Sequence, residues 1–112
     1  MSSSTESVLT QLRKGVLEYC VLASLRAGPA YGLELAGRLA QHPTLLASEG
    51  TLYPLLARLR KQGWVTTSWQ ESTSGPPRRY YELSPDGTSA LETFLATWGP
   101  FSHDVTFLLE ES

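Results

Sequence analysis

The segment Glu49-Gly50-Thr51-Leu52-Tyr53-Pro54-Leu55-Leu56-Ala57-Arg58-Leu59 decides the fold. On a helix that turns by about 100° per residue, its four leucines fall within about 60° of Leu52. The opposite side carries Gly50, Ala57, Arg58 and Lys61. A helix this short is not stable alone, so the leucine face must dock on a core. The outward face then carries small side chains near the start of the helix and basic side chains near its end. This is typical of a helix that lies in the major groove of DNA.

The length and composition predict one soluble domain. A chain of 112 residues, 41% hydrophobic and 18% charged, can bury one core. Its apolar runs are too short to span a bilayer, and residues 1–7 lack the basic start and apolar stretch of a signal peptide. Cys20 is the only cysteine, so no intrachain disulfide can form. These features predict a cytoplasmic protein that does not enter a membrane, with Cys20 as packing.

The charge is distributed unevenly along the chain. The net charge is −2, which at first argues against a nucleic-acid partner. Residues 48–84 nevertheless carry a local charge of +2, whereas residues 85–112 carry five acidic residues and no Lys or Arg. The basic part of the chain is therefore its middle, where the leucine-faced helix lies.

Hydrophobic periodicity predicts three helices before the first strand. The first runs from about Val8 to Arg26 and has two apolar faces, so it should pack on two sides, the second against another subunit. The second covers about 30–41. The third follows Ser48, a good N-cap residue, and ends at Gly63, with a local irregularity expected at Pro54. Residues 1–7 are predicted to be a disordered tail.

A β-hairpin and a last helix follow. The strands are predicted at 64–70 and 80–83 because both are β-branched or aromatic. The residues between them, 71–79, predict a long, mobile, basic tip, and one of the two tyrosines at 80 and 81 should be core. Ser84-Pro85 then starts a final helix. Three helices followed by a hairpin predict a mainly α fold, the winged helix-turn-helix, over residues 8–84.

The motifs resemble those of the PadR family of bacterial transcriptional regulators. They occur in the family order over roughly residues 12–98. The matching stretches are Leu12-Arg13-Lys14-Gly15-Val16-Leu17-Glu18, Gly28-Pro29-Ala30-Tyr31-Gly32-Leu33-Glu34-Leu35, Gly50-Thr51-Leu52-Tyr53-Pro54-Leu55-Leu56-Ala57-Arg58-Leu59, Gly63-Trp64-Val65, Gly75-Pro76-Pro77-Arg78-Arg79-Tyr80-Tyr81-Glu82-Leu83-Ser84 and Asp86-Gly87. The Gly-Thr-Leu-Tyr-Pro motif combined with the Arg-Arg-Tyr-Tyr strand is specific.

The resemblance implies a homodimeric repressor that binds a near-palindromic operator in double-stranded DNA. The first helix and the C-terminal helix, residues 85–112, would form the dimer. Its interface would include Leu12, Val16, Leu91, Phe94, Leu95 and Trp98. Some members of the short subfamily bind flat aromatic effectors between the C-terminal helices, and Trp98 stands where such a member would place a stacking tryptophan. Trp98 as plain interface packing is the alternative.

The sequence departs from the family pattern at two places. Gly99-Pro100 falls inside the last helix, where proline is expected to kink or break it. Trp64 is larger than the usual aliphatic residue at its position, which indicates a repacked core.

The candidate DNA contacts lie in four segments of the chain. The residues are Ser48, Thr51, Tyr53, Arg58 and Lys61 on the third helix, Arg78 and Arg79 in the hairpin, and Arg13, Lys14 and Tyr31 elsewhere. The helix cations would bind phosphates or a guanine edge, and the hairpin arginines the adjacent minor groove or its phosphates. A solvated surface is the alternative for the cations, and packing under the wing is the alternative for Tyr53.

Other classes of function have less support. His42 and His103 have no partners at metal-ligand spacing, no nucleophile-elbow motif is present, and the glycines form no phosphate-binding loop. We therefore predict no enzyme activity and no cofactor or metal. The remaining rival is a winged-helix module that binds another protein and not DNA, and the acidic pI of about 5.6 favours it.

Overall fold

A computed structural model describes residues 4–45 and 48–111. Helices and a small sheet alternate along the chain. The elements are α1 (Thr5–Arg13), α2 (Leu17–Ser24), β1 (Ala30–Tyr31), α3 (Gly32–Ala40), α4 (Glu49–Lys61), β2 (Val65–Ser72), β3 (Gly75–Leu83) and α5 (Pro85–Glu111). The predicted fold class, helices with a β wing, is confirmed.

One hydrophobic core holds the elements together, and the leucine face of α4 lies at its centre. Leu52, Leu55, Leu56 and Leu59 are each at most 4% exposed. They pack with buried side chains of α2, α3, β2 and β3. Tyr81 is the buried tyrosine of the hairpin, as expected for one of the pair. The apolar periodicity of α4 therefore predicted its packing correctly.

The predicted first helix is two helices. It breaks at Lys14-Gly15-Val16, where Gly15 adopts a φ of +76°, a conformation that a right-handed helix does not contain. The start is also earlier than expected: α1 begins at Thr5, and the Ser4 hydroxyl accepts a hydrogen bond from the Ser7 amide. Residues 4–7 are thus an ordered helix start, while residues 1–3 of the predicted tail lie outside the described residues.

A short strand precedes α3, where a helix start was predicted. Ala30 and Tyr31 pair antiparallel with Tyr81 and Tyr80, so the sheet has three strands in the order β1-β3-β2. The helix α3 begins only at Gly32. Two residues are too few to show a strand periodicity, and the pairing depends on β3, which lies about fifty residues further along the chain.

The hairpin tip is tight, and the prediction of a long basic loop is wrong. The strands extend to Ser72 and from Gly75, which leaves only Thr73-Ser74 as the turn. Between the pairs Gln70↔Arg78 and Ser72↔Gly75, β2 has one residue and β3 has two, Pro76 and Pro77. This bulge lets β3 contain prolines, which lack an amide donor for a regular ladder.

The helix α5 is continuous across Gly99-Pro100, so the expected break is absent. Proline at this position removes one helical hydrogen bond, to the carbonyl of Ala96, and both residues are exposed, so water can serve that carbonyl. Pro54 likewise sits inside α4 without interrupting it. In each helix, the turns on both sides of the proline supply enough regular hydrogen bonds to keep the segment helical.

The start of α5 is tied to the segment that follows α4. The Ser84 amide donates to the Trp64 carbonyl over 3.0 Å, the Ser84 hydroxyl donates to the Gly63 carbonyl over 2.5 Å, and the same hydroxyl accepts from the Gly87 amide over 3.0 Å. A Cβ at Gly87 would lie 1.9 Å from the Trp64 carbonyl oxygen. Only glycine therefore allows α5 to approach the end of α4 this closely.

Gly87→Ala should destabilise the fold by about 2–3 kcal/mol, because the methyl group overlaps backbone atoms that cannot move aside independently. Gly37→Ala is the matched control: nothing lies within 4 Å of the added Cβ on the exposed side of α3, and alanine favours the helix. Urea denaturation at one fixed protein concentration measures both. Equal stabilities of the two variants would contradict the close approach at Gly87.

Candidate nucleic-acid interface

The outward face of α4 is polar and basic. Ser48, Thr51, Arg58 and Lys61 are all exposed, while the leucines of the same helix are buried. Ser48 occupies the N-cap position, but its side chain makes no capping hydrogen bond and lies 3.5 Å from the Thr51 hydroxyl. Two hydroxyl groups at the N-terminal end of α4 and two cations at its C-terminal end therefore face outward.

The turn between α1 and α2 faces this part of α4. Lys14, Thr51 and Arg58 line one open cleft of about 480 Å³. Glu6 and Glu18 line the same cleft, so its charge is mixed. The structure thus brings Lys14, which is distant in sequence, to the side of the predicted recognition helix.

The Arg13 side chain, in contrast, is bound by other groups of the same chain. Its side chain is only 13% exposed and forms an ion pair with Glu6 at 3.1 Å. Its guanidinium also donates to the carbonyls of Thr44 and Pro43, at 2.7 and 3.4 Å. Arg13 therefore fastens α1 to the segment after α3, and its guanidinium is engaged within the chain and not free for the predicted phosphate contact.

The two wing arginines lie on opposite faces of the sheet. Arg78 and Arg79 are consecutive in β3, so their side chains point to different sides. The Arg78 guanidinium lies over the Tyr31 ring, 4.4 Å from its centroid. That of Arg79 lies over the Trp69 ring at 5.0 Å. Trp69 was missed by the sequence analysis because its position opposite Arg79 follows only from the hairpin register.

Tyrosines surround the junction between β1 and α3. Tyr31 packs edge-on against Tyr80, with ring centroids 5.4 Å apart, and lies beneath Arg78. At the next residue, a Cβ on Gly32 would lie 2.6 Å from the ring of Tyr53. Tyr53 therefore packs against the start of α3, with 42% of its surface still exposed.

Within the described residues, the cations of α4 and the wing form no ion pair. Across residues 4–45 and 48–111, the carboxylates form no ion pair with Arg58, Lys61, Arg78 or Arg79. These side chains also make no hydrogen bond within those ranges. Cations without an acidic partner, on one helix and one hairpin, attract a polyanion.

A second feature is an apolar groove between α1 and α5. It has a volume of about 620 Å³, and its lining includes Leu9, Leu12, Val16, Trp98 and Phe101. Three of the predicted interface residues, Leu12, Val16 and Trp98, thus meet in one place. Leu12 is 64% exposed and Trp98 41% exposed, so the groove is open to a ligand or a partner.

An aromatic stack runs from this groove to the end of α4. Phe94 stacks on Tyr19 at 4.4 Å and on Trp98 at 5.7 Å, and Trp98 continues to Phe101 at 6.3 Å. At the other end Tyr19 contacts Trp64 at 5.7 Å. Trp64 is partly buried and packs against the core. The stack links the groove physically to the segment that follows α4.

The two remaining predicted interface residues lie in different environments. Leu91 is 3% exposed and belongs to the core of the single chain, so it cannot line a surface. Leu95 is 46% exposed and lies on the surface of α5. Periodicity placed both on one helix, but only the tertiary structure shows where α5 leaves the core.

Other kinds of site have little basis. Burial raises the pKa of the half-buried Cys20 thiol, which favours its protonated form. Within the described ranges no three His, Cys, Asp or Glu side chains are grouped to hold a metal ion. None of the helices in that part of the chain is both long and apolar enough to span a bilayer.

The helices, the wing and the exposed cations define a winged helix-turn-helix protein. The sequence profile described as "Transcriptional regulator PadR-like family" matches residues 21–93. The chain belongs to this family of transcriptional regulators, as its motifs indicated.

Solved structures agree with this assignment. A PadR-like transcriptional regulator from Bacillus cereus is 39% identical, with 88% of this chain and 96% of that chain covered and a TM-score of 0.79. A PadR family regulator from Eggerthella lenta is 37% identical over 96% of this chain and 93% of that chain, with a TM-score of 0.81. A separate comparison with curated protein sequences finds no match.

A more distant structure is that of Bacillus subtilis PadR in complex with operator DNA. It is 24% identical, covers 72% of this chain and 46% of that chain, and has a TM-score of 0.65. At this identity the likeness concerns the fold alone.

Proposed function

We propose that this protein is a repressor that binds a near-palindromic operator as a homodimer. The observation that carries the proposal is the set of cations on α4 and the wing that form no ion pair within the described residues. Phosphate contacts by Lys61, Arg78 and Arg79 supply affinity. The outward face of α4, with Thr51 and Arg58, reads base edges in the major groove. Occupation of the operator blocks transcription.

Support for DNA as the partner comes from the family. The described Bacillus subtilis relative is bound to operator DNA, and its fold matches this chain. The acidic residues of this chain are concentrated in α5, away from the wing cations in sequence. The negative net charge therefore does not argue against DNA binding by α4 and the wing.

Support for a homodimer comes from exposed apolar side chains. A soluble monomer rarely leaves so many large apolar residues on one long helix. On α5 these are Leu95, Trp98, Phe101, Val105, Phe107, Leu108 and Leu109, and on α1 they are Val8 and Leu12. A second copy that packs α1 and α5 against the same elements would cover both groups, and its two-fold symmetry would match a palindromic operator.

We also propose that a planar aromatic effector, where one acts, binds in the groove at Trp98. The groove is mostly apolar, and Trp98 already stacks with aromatic neighbours. A ligand there lowers operator affinity only if it prefers a dimer in which the two α4 helices have the wrong spacing. The aromatic stack from Trp98 to Trp64 is the packing through which such a preference would act.

The salt dependence of duplex binding tests the proposal. Three phosphate-binding cations on each of two subunits correspond to about six phosphate contacts, so affinity should fall by about 10³-fold between roughly 50 and 200 mM salt. The measurement is a titration of the protein against a duplex of its own upstream region at both salt concentrations. A scrambled duplex is the control for sequence selectivity, and Arg26→Ala, an exposed cation outside the proposed interface, is the control variant.

The rival function predicts a different result. A winged-helix module that binds another protein would leave the duplex unbound even at low salt. If selection from a random duplex library also recovered no sequence, the repressor proposal would be overturned in favour of a protein-binding module.

A further inference from the structure

We propose that Trp69 is a positioning residue that holds Arg79 ready for a DNA phosphate on the wing face opposite Arg78. The inference rests on the proposed DNA binding. It adds a residue that the sequence motifs do not single out and gives the two wing arginines separate roles.

The register of the hairpin places the pair together. Trp69 and Arg79 are direct partners across β2 and β3, so their side chains leave the same face of the sheet side by side. The Arg79 Cζ atom lies 5.0 Å from the Trp69 ring centroid. Trp69 is 64% exposed, so its ring contributes little to the core. Its place is explained by the guanidinium that lies over it.

The state of Arg79 indicates a side chain held in one orientation. Its Nε atom is buried and has no hydrogen-bond partner within the described residues. A buried donor of this kind is unfavourable unless another interaction compensates, and the cation–π contact is the one present. The Arg79 Cζ atom lies over the ring. Of the three guanidinium nitrogens only Nε is buried without a partner, and Nη1 and Nη2 make no hydrogen bond within the described residues, so they are left to bind phosphate in the guanidinium plane.

The same arrangement recurs on the other face with different residues. Arg78 lies over Tyr31, which pairs with Tyr80 two residues further along β3. Each wing arginine thus has its own aromatic platform, one on each side of the strand. An arginine already held in place loses less side-chain freedom when it binds, which raises affinity without a new contact.

A double-mutant cycle tests the assignment. The probe is a fluorescein-labelled duplex of about 30 base pairs, roughly three helical turns, at low salt, where phosphate contacts dominate. Trp69→Leu should weaken binding by roughly tenfold for the dimer, because a factor of about three per subunit acts twice. In the Arg79→Ala background, Trp69→Leu should have no further effect. Trp69→Tyr, which keeps an aromatic face, should retain most of the affinity.

The slope of log affinity against log salt provides a readout that a purely structural role would not change. Arg79→Ala should lower its magnitude by about 2 for the dimer, and Trp69→Leu should move it towards the same value. An equal loss from Trp69→Leu with and without Arg79 would overturn the proposal, because Trp69 would then act on DNA or on the fold directly. An unchanged affinity in Trp69→Leu would overturn it as well.

A measurement without DNA separates the failure of this inference from the failure of the proposed function. The ring current of Trp69 should shift the NMR signals of the Arg79 side chain, and Trp69→Leu should abolish that shift. If the shift is present but the wild-type protein binds no duplex, the proposed DNA binding fails and this role fails with it. If the wild-type protein binds duplex and the shift is absent, only the positioning role is overturned.

Discussion

Replacing Arg58 and Arg78 together by alanine should weaken operator binding by about a thousandfold while leaving the dimer intact. Both side chains are exposed, and neither forms an ion pair or a hydrogen bond within the described residues, so their removal leaves no buried polar group unsatisfied. A homodimer loses each residue twice. Four contacts worth about 1 kcal/mol each amount to about 4 kcal/mol, or about three decades in the dissociation constant.

The two single variants should weaken DNA binding in different ways. Arg58→Ala should reduce the preference for the operator over scrambled duplex, because α4 reads base edges. Arg78→Ala should reduce binding to both duplexes about equally, because the wing contacts phosphates. Arg26→Ala is the matched control and should leave both affinities unchanged. Wild-type affinity in the double variant, measured by fluorescence anisotropy, would remove both residues from the interface.

Phe101→Glu should convert the dimer into a monomer. Phe101 is 60% exposed in the single chain and lines the groove between α1 and α5, so the substitution should not disturb the core. In a symmetric dimer it buries two unpaired carboxylates, each at a cost of about 3–5 kcal/mol. The dimer dissociation constant should therefore rise by at least about 10⁴-fold.

Sedimentation at micromolar protein measures this effect directly. Ala96→Glu is the matched control, since Ala96 is exposed and lies on the side of α5 opposite Phe101. It should sediment as the wild-type protein does, and circular dichroism should show that both variants keep their helices. A Phe101→Glu protein that remains dimeric would place the interface elsewhere than this groove. A monomer should also bind only a half-site and lose most of the operator affinity.

The sequence predicted the helix-based part of the fold well, because local physics dominates there. The spacing of the leucines in α4 determines which face is buried, and Gly63 adopts a positive φ, 82°, just after the helix end. The outward side of α4, with Thr51, Arg58 and Lys61, follows from the same spacing. These features depend on residues within one or two turns of one another.

The sequence predicted less where contacts are distant. The strand at Ala30-Tyr31 exists because β3 pairs with it, and the turn at Thr73-Ser74 sets a register that moves Arg78 and Arg79 from a loop into a strand. The inward orientation of Arg13 depends on carbonyls of Pro43 and Thr44, about thirty residues away. No periodicity in the sequence contains such information.

By itself, then, the sequence determined the family, the buried face of α4 and the basic character of the middle of the chain. Those properties are carried by residue type and by the regular repeat of a helix. The tertiary structure alone decided which cations are free, which aromatic ring lies beneath each wing arginine, and that Leu91 belongs to the core while Trp98 lines a groove. These depend on strand register and helix packing, which bring together residues whose distance along the chain does not indicate their proximity.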